Sequence, residues 1–306
     1  MSSDPVRRVG ERYVGRFAPS PTGPLHFGSL VAAVASFLDA RANRGAWLVR
    51  IEDVDETRCQ PVFADQILAT LRAFDLNWDG DVVVQSAQKS HYAAAMSVLT
   101  HAGYTYGCEC SRREIADSAH MGIDGPVYPG TCRAKSLPFD SVAVRFKVAE
   151  GRTDFSDRLQ GAQSQDLASD VGDFVIRRRD QLFAYQLAVV VDDFRAGVTD
   201  VVRGADLLDS TARQIALQRA LGYPTPRYLH IPVATNREGE KLSKQTLASP
   251  VDAEDRLGVL RGALRFLRQP DDHPAATCRQ LLDLAAAHWR PDAIPARRSL
   301  PLHSQA

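Results

Sequence analysis

The order of hydrophobic periods constrains this chain most. Residues 13–17 form a short β-prone run that ends in the loop Pro19-Ser20-Pro21-Thr22-Gly23-Pro24. Residues 29–44 then follow a helical period, with Leu30, Val34, Phe37 and Leu38 on one face, until Gly45 stops it. A second strand pattern over 46–51 ends at Glu52-Asp53-Val54-Asp55, and a second amphipathic pattern covers 62–75. Strand–helix–strand–helix order predicts an α/β fold with a doubly wound parallel sheet. Ligands of such sheets bind beyond the C-terminal strand ends, where both the Pro/Gly loop with His26 and the acidic group at Glu52 fall.

The middle of the chain breaks this rhythm. From 104 to 172 it turns into short β-like pieces, turns and a cysteine cluster, which reads as an insertion. The expected division is therefore a first half of the α/β domain (1–103), the insertion (104–172), a second half (173–250) and a C-terminal region (251–306). The last region should hold two helices, near 255–268 and 276–289, and then a mobile Pro/Arg-rich tail.

Hydrophobic residues make up 44% of the 306 and charged residues 24%, enough for a substantial core, which excludes a disordered chain. Lys plus Arg and Asp plus Glu are 37 each, so no global positive field holds a polyanion, and an RNA partner would need a local patch. The first residues lack the apolar run of a secretory signal, and the richest apolar stretch, 30–38, falls far short of the ~20 residues that cross a bilayer. The expectation is a cytoplasmic protein without a membrane partner, and a monomer.

Of five cysteines, Cys108, Cys110 and Cys132 crowd together; without an export signal such a group reads as a metal site before it reads as disulfides. Thiolates favour Zn2+, which wants a fourth ligand. His120, Glu109, Asp124 and Tyr128 are the candidates, and ligand chemistry alone favours His120. Cys59 and Cys278 are isolated and read as structural.

The strongest chemical signal is a pair of segments, Pro24-Leu25-His26-Phe27-Gly28-Ser29 and Lys241-Leu242-Ser243-Lys244-Gln245. The first puts an imidazole and a glycine where a strand gives way to a helix, whose free N–H groups attract phosphate. The second puts two ammonium groups on a glycine-flanked loop, suited to charge that develops as a phosphoryl group departs.

Together these segments resemble the HIGH and KMSKS motifs of class I aminoacyl-tRNA synthetases. The flanking words, Arg16-Phe17-Ala18-Pro19-Ser20 and Arg50-Ile51-Glu52-Asp53-Val54-Asp55, are similar to those of the glutamyl branch. Ser29 stands where the first motif has its second histidine, and Gln245 replaces the final serine of the second. The resemblance makes the α/β domain the catalytic, nucleotide-binding unit. It implies His26, Lys241 and Lys244 as catalytic groups, and His26, Gly28, Ser29 and Lys244 as ATP contacts. It also implies a glutamate site of Arg16, Phe17, Ala18, Pro19, Ser20, Glu52, Tyr185 and Arg203. The chemistry suits an acid with one ammonium and two carboxylates: Glu52 can pair the ammonium, Arg16 and Arg203 can fork onto carboxylates, and Tyr185 adds a hydroxyl. Adenylation then needs no protein nucleophile, because the substrate carboxylate attacks the α-phosphate of ATP with Mg2+ sharing the charge. A Cys-x-Cys…Tyr-x-x-x-Cys pattern of the family replaces His120 by Tyr128 as fourth zinc ligand, beside Cys108, Cys110 and Cys132.

Only 62 residues follow Lys244, too few for the helical anticodon-reading domains of full glutamyl-tRNA synthetases. The family with this shortened form is the glutamyl-queuosine tRNA(Asp) synthetases. It implies ATP, L-glutamate and queuosine-bearing tRNA(Asp) as partners, and glutamate activation without tRNA. The alternatives are a minimal acceptor-end glutamyl-tRNA synthetase and a class I-like nucleotidylyltransferase. Arg261, Arg265 and Arg268, at helical spacing, are expected to grip an RNA backbone. Arg177-Arg178-Arg179 reads as a solvated hairpin, Asp192-Asp193 as a ribose site or packing salt bridge, and Asp53 and Asp55 as caps of the next helix.

Overall fold

The computed structural model describes residues 12–236, 251 and 254–302. The chain starts with β1 (Val14–Phe17), α1 (Phe27–Ala42), β2 (Ala46–Ile51), α2 (Pro61–Ala73), β3 (Val83–Val84) and α3 (Lys89–His101). Short elements follow: β4 (Thr105–Cys108), α4 (Arg112–Ser118), β5 (Met121–Gly122), β6 (Gly125–Pro126) and β7 (Ala143–Phe146). Then come β8 (Arg152–Asp157), β9 (Gly161–Asp166), α5 (Leu167–Asp170) and β10 (Phe174–Arg177). The last third holds α6 (Tyr185–Arg195), β11 (Asp200–Gly204), α7 (Thr211–Leu221), β12 (Arg227–Ile231) and β13 (Val233–Thr235). It closes with α8 (Arg256–Phe266), α9 (Cys278–Ala287) and β14 (Ser299–Pro301).

Strands β1, β2 and β3 pair in parallel, as do β11 and β12. The two groups meet where the Thr199 N–H donates to Val14 O at 2.9 Å and the Val14 N–H to Thr199 Oγ1 at 3.0 Å. Spatial order is thus β3-β2-β1-β11-β12, and the progression reverses between β1 and β11, the kind of switch point where α/β sheets open a crevice. Alternation along the strands sends side chains to both faces. On one, Trp47, Val49, Val202, Leu229 and Ile231 join Leu30, Val34, Phe37 and Leu38 of α1 and the inner sides of α8 and α9. On the other, Val201 and Tyr228 pack against Ile215 of α7. Gly222, at φ 70°, closes α7 in the left-handed conformation that a side chain resists.

The insertion divides differently from the expected 104–172. β4, β7 and β10 form one antiparallel sheet, so the small domain reaches past 172 to Arg177. The β8–β9 hairpin, by contrast, attaches to the catalytic sheet: β8 pairs with β12 at Tyr228↔Asp157, and the Arg158 N–H donates to Tyr228 O at 2.8 Å. Its residues are mostly polar and exposed or half-buried, which is what an added edge hairpin shows.

The stretch expected to be a mobile tail is instead built in as far as residue 302. β14 pairs in parallel with β13, and Arg298 forks onto Asp209 at 2.7 and 2.8 Å. Trp289 Nε1–H donates to the buried Asp39 of α1 at 2.9 Å; Tyr13 and Arg158 donate to the same carboxylate. Nonlocal pairing and one buried acid order what composition marked as loose.

Candidate active site

At the switch point the C-terminal ends of β1, β2, β11 and β12 open onto a cleft of about 220 Å³. It brings together Arg16, Phe17, Ala18, Pro19, Ser20, His26, Gly28, Ser29, Glu52, Tyr185 and Arg203, residues drawn from distant parts of the chain. The Pro19 carbonyl accepts from the Glu52 N–H at 2.9 Å, which seats the Pro/Gly loop over the end of β2. Lys241 and Lys244 lie outside the described residues.

His26 is the N-cap of α1. Its Nδ1 accepts from the Ser29 N–H at 3.3 Å, and Ser29 Oγ lies 3.0 Å from Nε2. The imidazole therefore orients the first turn of the helix, and Ser29 occupies both ring nitrogens. A capping histidine and a phosphate-facing histidine are compatible, because the cap fixes the ring at the mouth of the N–H-rich turn.

Charge in the cleft rests on a buried ion network. Arg50 donates to Glu52 Oε1 at 2.8 Å and to Asp193 Oδ1 at 2.6 Å, and its Nε lies 3.7 Å from Asp192 Oδ2. Arg16 reaches Asp193 at 3.2 Å. Gln85 and Tyr92 each donate to Asp192 at 2.8 Å. Burial raises the Glu52 carboxyl above its ordinary value, with Arg50 opposing. Burial also acts on Asp193, but Arg16 and Arg50 hold it below the usual carboxylate range. The Tyr185 phenol is pushed up to about 12, by burial and then by the Glu52 charge, so it stays a hydroxyl donor. Asp192-Asp193 thus takes the packing salt-bridge reading of the two offered for it.

Arg203 comes from β11, beside its register partner His230 on β12. Its Nε–H donates to His230 Nε2 at 2.9 Å and its Nη2 to Thr211 Oγ1 at 2.9 Å; Nη1 is buried with no acceptor among the described residues. An unmatched buried donor on a cationic group costs on the order of 1–3 kcal/mol and marks a place for a ligand acceptor.

Sequence reading missed Arg50, Asp157 and His230. Arg50 carried a signal, since i and i+2 on a strand share a face and Arg50-Ile51-Glu52 puts guanidinium and carboxylate side by side. Asp157 and His230 carried none, being 73 residues apart.

The second cluster lies in the small domain. The sulfurs of Cys108, Cys110 and Cys132 all fall within 4.8 Å of one another, and Cys110 and Cys132 approach to 3.5 Å. Tyr128 Oη lies 3.4 Å from Cys108 Sγ and 3.6 Å from Cys110 Sγ, and accepts the Cys132 N–H at 2.9 Å. Tetrahedral zinc with bonds of about 2.3 Å requires sulfurs roughly 3.8 Å apart, so the donor set fits the ion. His120 is not part of the cluster; its Nε2 faces the Ser169 carbonyl at 2.8 Å.

Other expected contacts resolve into internal bonds. Asp53 accepts from the Ser86 N–H at 2.7 Å, while the N-cap of α2 is Gln60, which makes no side-chain cap hydrogen bond, so Asp53 caps a later turn. The Arg177–Arg179 run does open a hairpin, bridged at Arg177↔Phe183 and turned by the Gln181 N–H donating to Arg178 O, with Arg179 exposed. Arg178 also pairs with Asp55 at 3.2 Å and Arg179 donates to the Glu109 carbonyl at 2.6 Å. Arg261 is held by the carbonyls of Asp271 and His273, and Arg265 pairs with Asp271 at 2.7 Å.

No helix among the described residues is long and apolar enough to cross a membrane. Residues 13–269 match the catalytic domain of class I tRNA synthetases (E and Q). The chain is 57% identical over 280 residues to the glutamyl-Q tRNA(Asp) synthetase of Aromatoleum aromaticum, covering 90% of this chain and 89% of that one. It is 57% identical over 296 residues to the protein of that name from Dechloromonas aromatica, covering 95% and 98%. The solved glutamate-tRNA synthetase of Elizabethkingia anophelis shares the fold, with a TM-score of 0.80 at 21% identity over 96% of this chain and 68% of that one. Family match, identity and fold agree: the chain belongs to the class I tRNA synthetases of the E and Q branch, in the family of the glutamyl-Q tRNA(Asp) synthetases.

Proposed function

We propose that this chain is a ligase that activates L-glutamate with ATP in the absence of RNA and transfers it to the queuosine base in the anticodon of tRNA(Asp). The observation that carries the reading is the convergence of two arginines, one carboxylate and one phenol in a single cleft beside a helix N-terminus. Of these groups Glu52 takes the substrate ammonium, Arg16 and Arg203 take carboxylates, and Tyr185 adds a hydroxyl.

With the side-chain carboxylate held, the α-carboxylate oxygen faces the nucleotide. It forms a bond to the α-phosphorus while the bond to the bridging oxygen breaks and pyrophosphate leaves. His26, Gly28 and Ser29 line the nucleotide end; Lys241 and Lys244 are assigned to the departing charge from the sequence motif. Mg2+ accompanying ATP supplies further neutralisation of the triphosphate. In the second step a cyclopentene hydroxyl of queuosine attacks the glutamyl carbonyl, the bond to AMP breaks, and the hydroxyl proton leaves with AMP or to solvent. Cys108, Cys110, Cys132 and Tyr128 would hold Zn2+, which would serve as a structural clamp on the small domain, remote from the reacting atoms.

The test is charging with labelled glutamate and ATP on tRNA from cells that make queuosine and from cells that cannot. Label confined to the first pool is expected. Equal label in both pools would instead assign acceptor-end charging.

A further inference from the structure

Arg203 is held by a buried chain whose residues have no part in the chemistry described above. His230 is fully buried, and its Nδ1 lies 2.6 Å from Asp157 Oδ2. Asp157 also accepts the N–H groups of Leu159 and Gln160 on Oδ1, at 3.0 and 2.8 Å, and that of His230 at 3.2 Å. A carboxylate only accepts, so the imidazole proton belongs on Nδ1 and Nε2 is left with a lone pair. That lone pair receives the Arg203 Nε–H. Thr211 Oγ1 and the Leu207 carbonyl take Nη2, at 2.9 and 3.4 Å, and Nη1 alone remains.

We propose that Asp157 and His230 are positioning residues for substrate binding: Asp157 sets the imidazole tautomer, the imidazole locks the Nε edge of Arg203, and Nη1 is thereby reserved for a carboxylate of the amino acid. The inference rests on the proposed glutamate site and adds two residues to it that touch no substrate. The imidazole is further held by stacking on Tyr228, with 5.9 Å between ring centroids and 15° between the planes. A cation bound to a fixed neutral acceptor keeps its whole charge for the ligand. A cation paired directly with Asp157 would not.

The test uses Asp157→Asn, His230→Gln and His230→Leu in the full chain, each checked by circular dichroism and thermal melting, with glutamate-dependent pyrophosphate exchange as the assay. In Asp157→Asn the amide oxygen must stay on the backbone N–H groups, so the NH2 faces Nδ1. The imidazole proton then moves to Nε2 and opposes the Arg203 Nε–H. The expected result is a rise of roughly tenfold or more in KM for glutamate, with KM for ATP unchanged. His230→Gln places an amide oxygen where Nε2 was and should stay within about threefold of the unsubstituted chain, whereas His230→Leu should match Asp157→Asn. Adding Asp157→Asn to His230→Gln should then cost little more, a non-additivity that a merely structural role does not produce. If both KM values move together, or if Gln and Leu at 230 behave alike, the positioning role is overturned. Should Asp157→Asn not fold, the Gln and Leu pair decides alone. Failure of the unsubstituted chain to show exchange would strike the proposed function instead, and is read separately.

Discussion

Glu52 shows how one side chain is committed by its neighbours. Arg50 occupies Oε1, and burial makes the charge costly unless a second cation arrives. Glu52→Gln keeps the shape and removes the charge that an ammonium needs. Glutamate binding should weaken roughly 10- to 100-fold, with KM for ATP unmoved, as read by steady-state exchange kinetics. Residues that line the cleft, such as Arg16 to Ser20, His26 and Glu52, were legible in short sequence words. The groups behind them were not. Arg50 is a strand neighbour of Glu52 and could have been found, whereas His230 and Asp157 meet only through the pairing of β12 with β8. A pH signature follows from that pair. Burial lowers the His230 pKa from the usual 6.5 to about 4, so the unfolded chain binds the extra proton first. Its contribution is whole above pH 6.5, is lost progressively as pH falls toward 4, and amounts to about 3 kcal/mol. Urea titrations across pH 4–7 should show a steeper decline for the unsubstituted chain than for His230→Gln; parallel curves would contradict the buried neutral imidazole.

Among the elements, the small domain and the C-terminal segment depend on few interactions. The three thiols and Tyr128 close the link between β4 and the turn at Cys132; if they hold zinc as proposed, Cys132→Ser or chelation should release it and expose the domain to proteolysis. Glutamate-dependent exchange should persist, because the cleft is built from β1, β2, β11 and β12; abrupt loss of exchange would place the metal in the chemistry. The sequence located this cluster; ligand chemistry alone favoured His120 as fourth ligand and only the family pattern pointed to Tyr128, since spacing cannot say which side chain turns inward. At the other end, Trp289 anchors α9 to Asp39, an acid 0% exposed that Tyr13 and Arg158 also bind. Trp289→Phe removes one donor from a buried carboxylate and should cost about 1–3 kcal/mol in urea unfolding. Composition could not foresee this: a Pro/Arg-rich stretch forms a strand here because β13 offers it an edge.

Across the whole molecule, the alternating periods of the first 75 residues predicted the parallel sheet and the end at which its ligands bind, and the cleft opens there. Two boundaries escaped, because β10 and the β8–β9 hairpin are assigned by pairing partners far along the chain. Each buried guanidinium of the cleft network meets a carboxylate or a neutral acceptor; Arg50 Nε and Arg203 Nη1 are left without a hydrogen bond, the first facing Asp192 at 3.7 Å and the second belonging to a residue that lines the cleft. The central claim is that the Arg203 Nη1 donor, with Arg16 and Glu52, selects glutamate for adenylation, by its second carboxylate and by that carboxylate's distance from the first. Incorporation of labelled pyrophosphate into ATP by the purified chain, with L-glutamate and no RNA, measures that directly. Incorporation should depend on glutamate and fall away with glutamine or aspartate; none with glutamate, or equal incorporation with all three, would contradict the account.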